Sequence, residues 1–320
     1  MDKFLFLFFI VFCVTAHYST SFAEELDDIT RRVTAANDNQ FPYMVSLQEW
    51  SKIHSPNRGH KCGGILVTLQ HALTAGRCLL LFNETIGGFV PIDRDEYRVF
   101  GGSANLTNDT SANRVRRIAN TTVYPEYNMT INMELNNIGI IILGTPFLST
   151  TVARISIGDI GNADFTPCTG MGWQRGTRLM YQPMTAINNT VCRMFIQFVN
   201  GTVCAMPPFA MPSASHVCVS EWGSPLVCQG NLAGVFIDWR TSCSGTMTAQ
   251  LFTRVSNYTT WINSVIALPI PELGPEPSTV PPPTTPTTTP APGASSVFQP
   301  GITFLTAILV AQIIRASVIN

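Results

Sequence analysis

From residue 33 onward the chain carries a series of short runs with the composition of β-strands, and this series constrains the fold more than any other feature. The runs are rich in β-branched and aromatic residues, end at Gly, Asn or Pro, and are not separated by long amphipathic helices. They read YMVSLQEW, GGILVTL, EYRVFGG, NIGIIIL, LAGVFIDW and QLFTRV. One short helix is expected after them, in VSNYTTWINSVIAL (255–268). Many short strands without alternating helices predict an all-β barrel or sandwich.

The N-terminus has the pattern of a secretory signal peptide, which we assign to residues 1–23. Lys3 precedes an apolar run (4–14), and the small residues Ser21 and Ala23 follow it. We expect cleavage after Ala23; the alternative is an uncleaved signal anchor.

The C-terminus is expected to hold a stalk and an attachment signal. Residues 269–296 are rich in Thr and Pro, a composition that predicts an extended, O-glycosylated stalk. Within residues 297–320, the apolar run ITFLTAILVAQII (302–314) would reach about 20 Å as a helix, short of a bilayer core of roughly 30 Å. Small residues, a spacer and a short apolar tail predict a GPI-attachment signal. A short transmembrane tail and a disordered end remain the alternatives.

The cysteines indicate disulfides in an oxidising compartment. Of nine cysteines, Cys13 leaves with the signal peptide, and eight remain. Their spacing alone leaves 105 connectivities open. No CxxC pair is present, so we expect neither a metal nor a cofactor. The net charge of −1, without a basic tract, gives no expectation of a nucleic-acid partner.

Asn-x-Ser/Thr sequons agree with export, because a glycan must lie on the surface. The candidate glycosylation sites are Asn83, Asn105, Asn108, Asn120, Asn128, Asn188, Asn200 and Asn257.

Five stretches resemble the chymotrypsin/trypsin-like serine protease family (peptidase S1). RRVTAANDNQFPYMVSLQ resembles its activation site and first strand, and HKCGGILVTLQHALTAGRC the stretch around the catalytic histidine. NNIGIIIL resembles the stretch of the catalytic aspartate, CVSEWGSPLVC the loop of the nucleophilic serine, and NYTTWINSVI the C-terminal helix. The similarity covers residues 32–267. It implies that residues 33–268 form a degenerate trypsin-like domain of two packed six-stranded antiparallel β-barrels, with a short C-terminal helix and a cleft between the barrels.

The resemblance also implies a disulfide pattern that uses all eight cysteines. The implied pairs are Cys62–Cys78, Cys168–Cys228, Cys192–Cys204 and Cys218–Cys243.

The resemblance places Arg77, Asn137 and Trp222 at the positions of the catalytic histidine, aspartate and serine. Acyl transfer needs a nucleophile, a proton acceptor and an acid that orients the acceptor. A guanidinium stays protonated and cannot accept a proton. An amide carries no charge to stabilise an imidazolium, and an indole has no nucleophilic oxygen or thiol. These three residues predict a degenerate triad.

Positions that would bind substrate also depart from the family pattern. Ser220 replaces the oxyanion-hole glycine, so the turn that aims the N–H groups is expected to change. His216 stands at the floor of the specificity pocket, Gln250 at a wall glycine, and Asp238 and Trp239 in the strand beside the substrate. Together these residues are expected to block the pocket.

Three further residues have side chains that could belong to a rearranged catalytic site, but none is expected to form one. His71 lies six residues before Arg77, about 20 Å away along an extended chain. Ser224 is expected to face away from the cleft, and His60 stands where the family often carries a structural histidine.

The bond between Arg32 and Val33 retains a trypsin-like cleavage site behind a short pro-segment (24–32). In the family, the freed N-terminal ammonium pairs with an acid beside the nucleophile, and that acid is Glu221 here. Ala35 and Ala36 replace the hinge glycines of the family. We hypothesise that cleavage switches the conformation.

These expectations predict a non-catalytic serine protease homologue, secreted or held at the plasma membrane by a lipid anchor. It would act by binding an extracellular protein, such as a protease or a protease substrate, as a regulator, cofactor or decoy. Two alternatives remain: an active serine-type endopeptidase with a rearranged site, and a glycosylated structural surface protein.

Overall fold

The computed structural model describes residues 33–107, 111, 113–129, 134–161, 165–173, 176–195, 200–207, 219–239 and 249–274. All of them lie in the first of two compact units, Met1–Glu276 and Pro277–Asn320. The predicted signal peptide, pro-segment and C-terminal signal lie outside the described residues, as does the stalk beyond residue 274. None of the helices that are described is long and apolar enough to cross a bilayer.

Short strands dominate the described part of the chain. They are β1 (Thr34–Ala35), β2 (Met44–Glu49), β3 (His60–Leu66), β4 (His71–Thr74), β5 (Leu80–Asn83), β6 (Gly88–Pro91), β7 (Tyr97–Gly101), β8 (Val115–Val123), β9 (Asn128–Met129), β10 (Glu134–Leu135), β11 (Gly139–Leu143), β12 (Thr166–Gly172), β13 (Met180–Ile187), β14 (Thr202–Met206), β15 (Pro225–Cys228), β16 (Asn231–Trp239) and β17 (Gln250–Arg254).

The first barrel closes through β11, β4, β3, β2, β7 and β8, in this order, and every pairing is antiparallel. Its core consists of aliphatic side chains with no exposed surface, among them Val45, Leu47, Ile65 and Ile140. The predicted runs fall on these strands because β-branched and aliphatic side chains fill the inside of a small closed barrel.

The second barrel consists of β13, β12, β15, β16, β17 and β14, and it closes because β14 pairs with β13. The short strand β1 adds to β13, with Thr34 opposite Tyr181. Phe236 and Phe252 meet edge to face in the core, with ring centroids 5.4 Å apart. The two six-stranded barrels confirm the predicted fold class.

Two α-helices are described, α1 (Asn189–Phe195) and α2 (Thr259–Ile266). A 3₁₀ helix (Val255–Tyr258) leads into α2, so the expected C-terminal helix is confirmed with a tighter first turn. Sequence analysis did not predict α1, because seven residues are too few to display an amphipathic period. Its start is capped by Asn188, whose Oδ1 accepts a hydrogen bond from the Val191 N–H at 2.9 Å.

Three disulfides lie within the described residues: Cys62–Cys78, Cys168–Cys228 and Cys192–Cys204. They are three of the four pairs that the family resemblance implies, and the fourth, Cys218–Cys243, lies outside the described residues. Cys168 and Cys228 face each other across β12 and β15. Each bridge restricts the unfolded chain, which stabilises a domain by roughly 2–4 kcal/mol per bridge.

Candidate functional site

Arg77 lies on a 3₁₀ helix (Gly76–Leu79) that follows β4. The next residue, Cys78, bonds to Cys62 in β3 and holds this turn against the first barrel. Gly76 favours the close approach, because a Cβ atom there would lie in tight contact with Val123 Cγ1 at 3.0 Å and with the Ile138 carbonyl oxygen at 3.2 Å. The turn therefore holds Arg77 beside the segment that precedes β11.

Asn137 supplies the second member of the cluster, and its side chain has no exposed surface. Its Oδ1 accepts a hydrogen bond from the backbone N–H of Arg77 at 3.0 Å. Its backbone carbonyl oxygen accepts from the Thr253 hydroxyl of β17 at 2.9 Å. Asn137 thus connects the Arg77 turn to the second barrel, and a neutral side-chain amide is sufficient to accept from the Arg77 N–H.

Trp222 completes the cluster from the loop before β15. The Cζ atom of Arg77 lies 3.7 Å from the centroid of the Trp222 ring, which is a cation–π stack. The Trp222 backbone oxygen accepts from the Gly63 N–H at 3.0 Å. Gly223 follows with a φ of +84°, and a Cβ atom there would lie 2.1 Å from the Gly63 oxygen. The loop is therefore hydrogen-bonded to β3 and packed closely against it, and Trp222 lies over Arg77.

The structure brings the residues at the three predicted triad positions together in one cluster. A guanidinium donates hydrogen bonds only, an indole offers a single N–H donor, and the Asn137 amide is engaged by the Arg77 backbone. No member of this trio is a nucleophile or a proton acceptor suited to acyl transfer. The arrangement is a packed stack of Arg77 and Trp222 on a hydrogen-bonded turn.

A second constellation, which sequence analysis missed, does carry the group types of a Ser-His-acid relay. The Ser46 hydroxyl lies 2.7 Å from His60 Nδ1, and His60 Nε2 lies 2.9 Å from Glu221 Oε2 without the alignment of a hydrogen bond. Glu221 Oε1 also accepts from the Trp173 N–H at 2.9 Å. Ser46 is 0% exposed and Glu221 7% exposed. This relay has no open face for a substrate.

The sequence signals for this relay are His60, which the resemblance identifies as structural, and Glu221, which it assigns as the partner of the freed Val33 ammonium. In the structure, the Glu221 carboxylate contacts His60 and Trp173, while Val33 precedes β1 at the edge of β13. Arg32 lies outside the described residues, so the cleavage hypothesis remains a prediction.

The predicted pocket positions line the inside of the second barrel or lie in its loops. Gln250 and Ser220 are fully buried, and neither the Gln250 amide nor the Ser220 Oγ has a hydrogen-bond partner in the described part of the chain. Asp238 is half-buried on β16, and the backbone of Trp239 pairs with Gln250. His216 lies outside the described residues.

The other two residues considered for a rearranged site, His71 and Ser224, are both buried. His71 is buried in β4, with Nδ1 2.8 Å from the Thr68 hydroxyl. Ser224 is buried as well, and its Oγ accepts a hydrogen bond from the Glu221 N–H at 3.3 Å. Within the described ranges, no group of three or more His, Cys, Asp or Glu residues is placed to hold a metal ion.

The sequons that are described occupy surface positions. Asn83 and Asn188 are half-buried, and Asn108 lies outside the described residues. The exposed ones are Asn105, Asn120, Asn128, Asn200 and Asn257.

Comparison with known proteins agrees with this architecture. The model of the Trypsin family matches residues 31–262. A chymotrypsin-like serine proteinase of Haliotis rufescens is 26% identical over 266 residues, which cover 80% of this chain and 97% of the relative. The anionic trypsin of Canis lupus familiaris is 29% identical over 242 residues, covering 72% and 86%. The structure of neuropsin, a serine protease of mouse brain, superposes with a TM-score of 0.58 at 20% identity and covers 73% of this chain and 99% of its own.

Proposed function

Because the chain belongs to the trypsin family, we propose that it is a non-catalytic member of that family which acts by binding another extracellular protein. A protease or a protease substrate is the proposed partner. The chain would serve as a regulator, cofactor or decoy.

The stack of Arg77 on Trp222 carries this proposal. The resemblance assigns these two residues to the positions of the proton acceptor and the attacking atom. A guanidinium remains charged at every physiological pH, and an indole has no nucleophilic oxygen or sulfur. If the assignment is right, their mutual contact would also occupy the place where a scissile bond is attacked in an active relative.

The buried relay of Ser46, His60 and Glu221 is the specific alternative, because it is a Ser-His-acid set in the same molecule. A nucleophile must contact the substrate carbonyl within about 3–3.5 Å. Ser46 has no exposed surface, and its hydroxyl is engaged by His60. The geometry therefore favours a structural role for the relay over an active hydrolase.

The three disulfides support an extracellular location, because such bonds persist in oxidising compartments. The predicted signal peptide, sequons and GPI signal agree with display at the plasma membrane. Release of the protein from cells by a phosphatidylinositol-specific lipase tests the anchor. Resistance to that lipase would favour the two alternatives to a GPI anchor, a short transmembrane tail or a disordered C-terminal end.

The decisive experiment exposes the full chain, purified from a eukaryotic secretory host, to a fluorophosphonate probe and to a peptide-substrate library. We expect neither labelling nor cleavage, while a trypsin control shows both. The Ser46→Ala variant is tested in parallel. Labelling that disappears in Ser46→Ala would identify the buried relay as a rearranged active site and would overturn the proposal.

N-terminal sequencing of the secreted protein tests the cleavage hypothesis. A chain that begins at Val33 would support processing after Arg32. A chain that begins only at Glu24 would show that the pro-segment is retained.

A further inference from the structure

The hairpin of β5 and β6, here called the aromatic hairpin (residues 80–91), concentrates the exposed apolar surface of the described chain. Eight large apolar side chains are exposed among the described residues, and four lie on this hairpin: Leu81, Phe82, Ile86 and Phe89. The other four are scattered over separate segments. Single exposed apolar residues are ordinary on a protein surface, but a cluster marks an interaction site.

The register of the hairpin divides its side chains between two faces. Phe82 pairs with Phe89, so both rings share one face, where their centroids lie 5.3 Å apart in an edge-to-face contact. The exposed fractions of these side chains are 57% and 48%. Asn83 pairs with Gly88 on the opposite face. A glycan on Asn83 would therefore cover that opposite face and leave the aromatic pair accessible.

The aromatic hairpin is anchored firmly enough to present these rings. The Ile92 N–H donates to the Leu79 carbonyl at 2.9 Å, and both side chains are buried in the core of the first barrel. The hairpin begins three residues after Arg77 and two after the Cys62–Cys78 bridge. A partner bound there would lie at the edge of the cluster of Arg77 and Trp222.

The charge around the aromatic hairpin selects the kind of partner. Residues 80–96 carry four acids, Glu84, Asp93, Asp95 and Glu96, against the single cation Arg94, which is a local net charge of −3 (1 − 4) in a chain of net charge −1. The Arg94 guanidinium donates to the Ala119 carbonyl and so points toward the barrel. The acids are exposed, although Asp95 also lies 3.5 Å from Arg117. Glu84 lies on the hairpin itself, and Asp93, Asp95 and Glu96 follow it directly on the chain. An apolar face in such an acidic segment complements apolar side chains flanked by Lys or Arg.

We propose that the Phe82–Phe89 face of the aromatic hairpin binds an extended, basic segment of another extracellular protein. The inference rests on the proposed function, that the chain acts by binding, and adds the surface and the chemistry of the partner. A second copy of the chain fits poorly, because two acidic hairpins would repel each other. An extended segment fits because its alternate side chains point to the same side and can contact both rings.

The probe is a synthetic heptapeptide that alternates lysine with valine and phenylalanine, and its matched control carries glutamate in place of lysine. Binding to the glycosylated full chain is measured by fluorescence anisotropy at low and physiological salt. We expect the lysine peptide to bind at least about tenfold more tightly than the glutamate peptide, with a difference that shrinks as salt increases. Equal affinity for the two peptides would overturn the proposal.

Three variants locate the binding surface. Phe82→Ser/Phe89→Ser should weaken binding of the lysine peptide roughly tenfold or more, because aromatic side chains dominate interface energetics. The matched control Phe165→Ser removes an exposed ring (55%) from a different segment and should leave the affinity unchanged. Glu84→Lys/Glu96→Lys changes exposed side chains only, so it tests the charge argument without risk to the core, and it should reverse the preference between the peptides.

The outcomes separate this inference from the proposed function. Weakened binding in Phe165→Ser, or unchanged binding in Phe82→Ser/Phe89→Ser, would overturn the hairpin site and leave the proposal of a non-catalytic binder untouched. Sedimentation that shows a dimer lost in Phe82→Ser/Phe89→Ser would assign the face to a second copy and overturn the basic partner. Peptide cleavage by the full chain would instead overturn the proposed function.

Discussion

The cluster of Arg77, Asn137 and Trp222 and the relay of Ser46, His60 and Glu221 each bring three side chains together from distant parts of the sequence. The first comprises the residues that the family resemblance assigns to the catalytic positions, and it contains neither a nucleophile nor a suitable proton acceptor. The second contains both, but its serine has no exposed surface. Position in a fold and the chemistry of side chains are therefore separate requirements for catalysis, and neither replaces the other.

Two adjacent residues, Glu221 and Trp222, belong to different constellations. Glu221 contributes its side chain to the buried relay, and Trp222 contributes its own to the half-buried stack. The two residues belong to one turn, closed by the Ser224 N–H that donates to the Glu221 carbonyl at 2.9 Å, so one loop serves both constellations. Experiments that perturb the two constellations separately can test whether they are independent.

The largest effect is expected from His60→Ala. This substitution removes the imidazole that faces Glu221 and leaves a buried carboxylate held only by the Trp173 N–H. Leaving a buried carboxyl group without one of its partners costs about 3 kcal/mol, so the free energy of unfolding should fall by that amount in urea titrations. Ser46→Ala is the matched control and should cost only about 1 kcal/mol. If His60→Ala lowers the free energy of unfolding by less than about 1 kcal/mol, the relay does not stabilise the folded domain.

A smaller effect is expected from the Arg77–Trp222 stack. A double-mutant cycle with Arg77→Ala, Trp222→Ala and the double variant should give a coupling free energy of roughly 1–2 kcal/mol, measured by thermal or chemical unfolding. His60→Ala combined with Arg77→Ala should be close to additive if the two constellations are independent. A coupling of zero between Arg77 and Trp222 would contradict a stabilising stack.

The smallest effect concerns a histidine with fewer partners. Desolvation lowers the pKa of His71 from its usual value of 6.5, and its buried Nε2 has no hydrogen-bond partner within the described residues. The unfolded chain binds a proton near pH 6.5, whereas folded His71 binds one only at lower pH. Stability is therefore complete above pH 6.5 and falls as the pH drops below that value.

Between pH 7 and pH 6 this loss should be less than about 1 kcal/mol, and His71→Gln should abolish it. Parallel urea titrations of wild type and variant at the two pH values measure the difference. An undiminished pH dependence in His71→Gln would assign the titration to another group.

The strand-forming runs predicted an all-β barrel or sandwich from local composition, and the family resemblance implied the two six-stranded barrels. Sequence reasoning could not predict that Arg77 stacks on Trp222, because that contact joins residues far apart in the chain and depends on rotamers. It also did not predict the aromatic hairpin, since LLFN and GFVP are short and lie outside the runs with clear strand character. It did not predict the contact between Glu221 and His60, and the expected pairing of Glu221 with a freed Val33 ammonium stays a prediction for the chain cleaved after Arg32.

The bond between the Gly63 N–H and the Trp222 carbonyl uses main-chain atoms alone. This bond does not involve the side chain of residue 222, and neither does the positive φ of Gly223, which makes the following turn possible. The loop can therefore change its side chain over evolutionary time without losing its shape. The same property makes position 222 a natural place to graft new reactive groups.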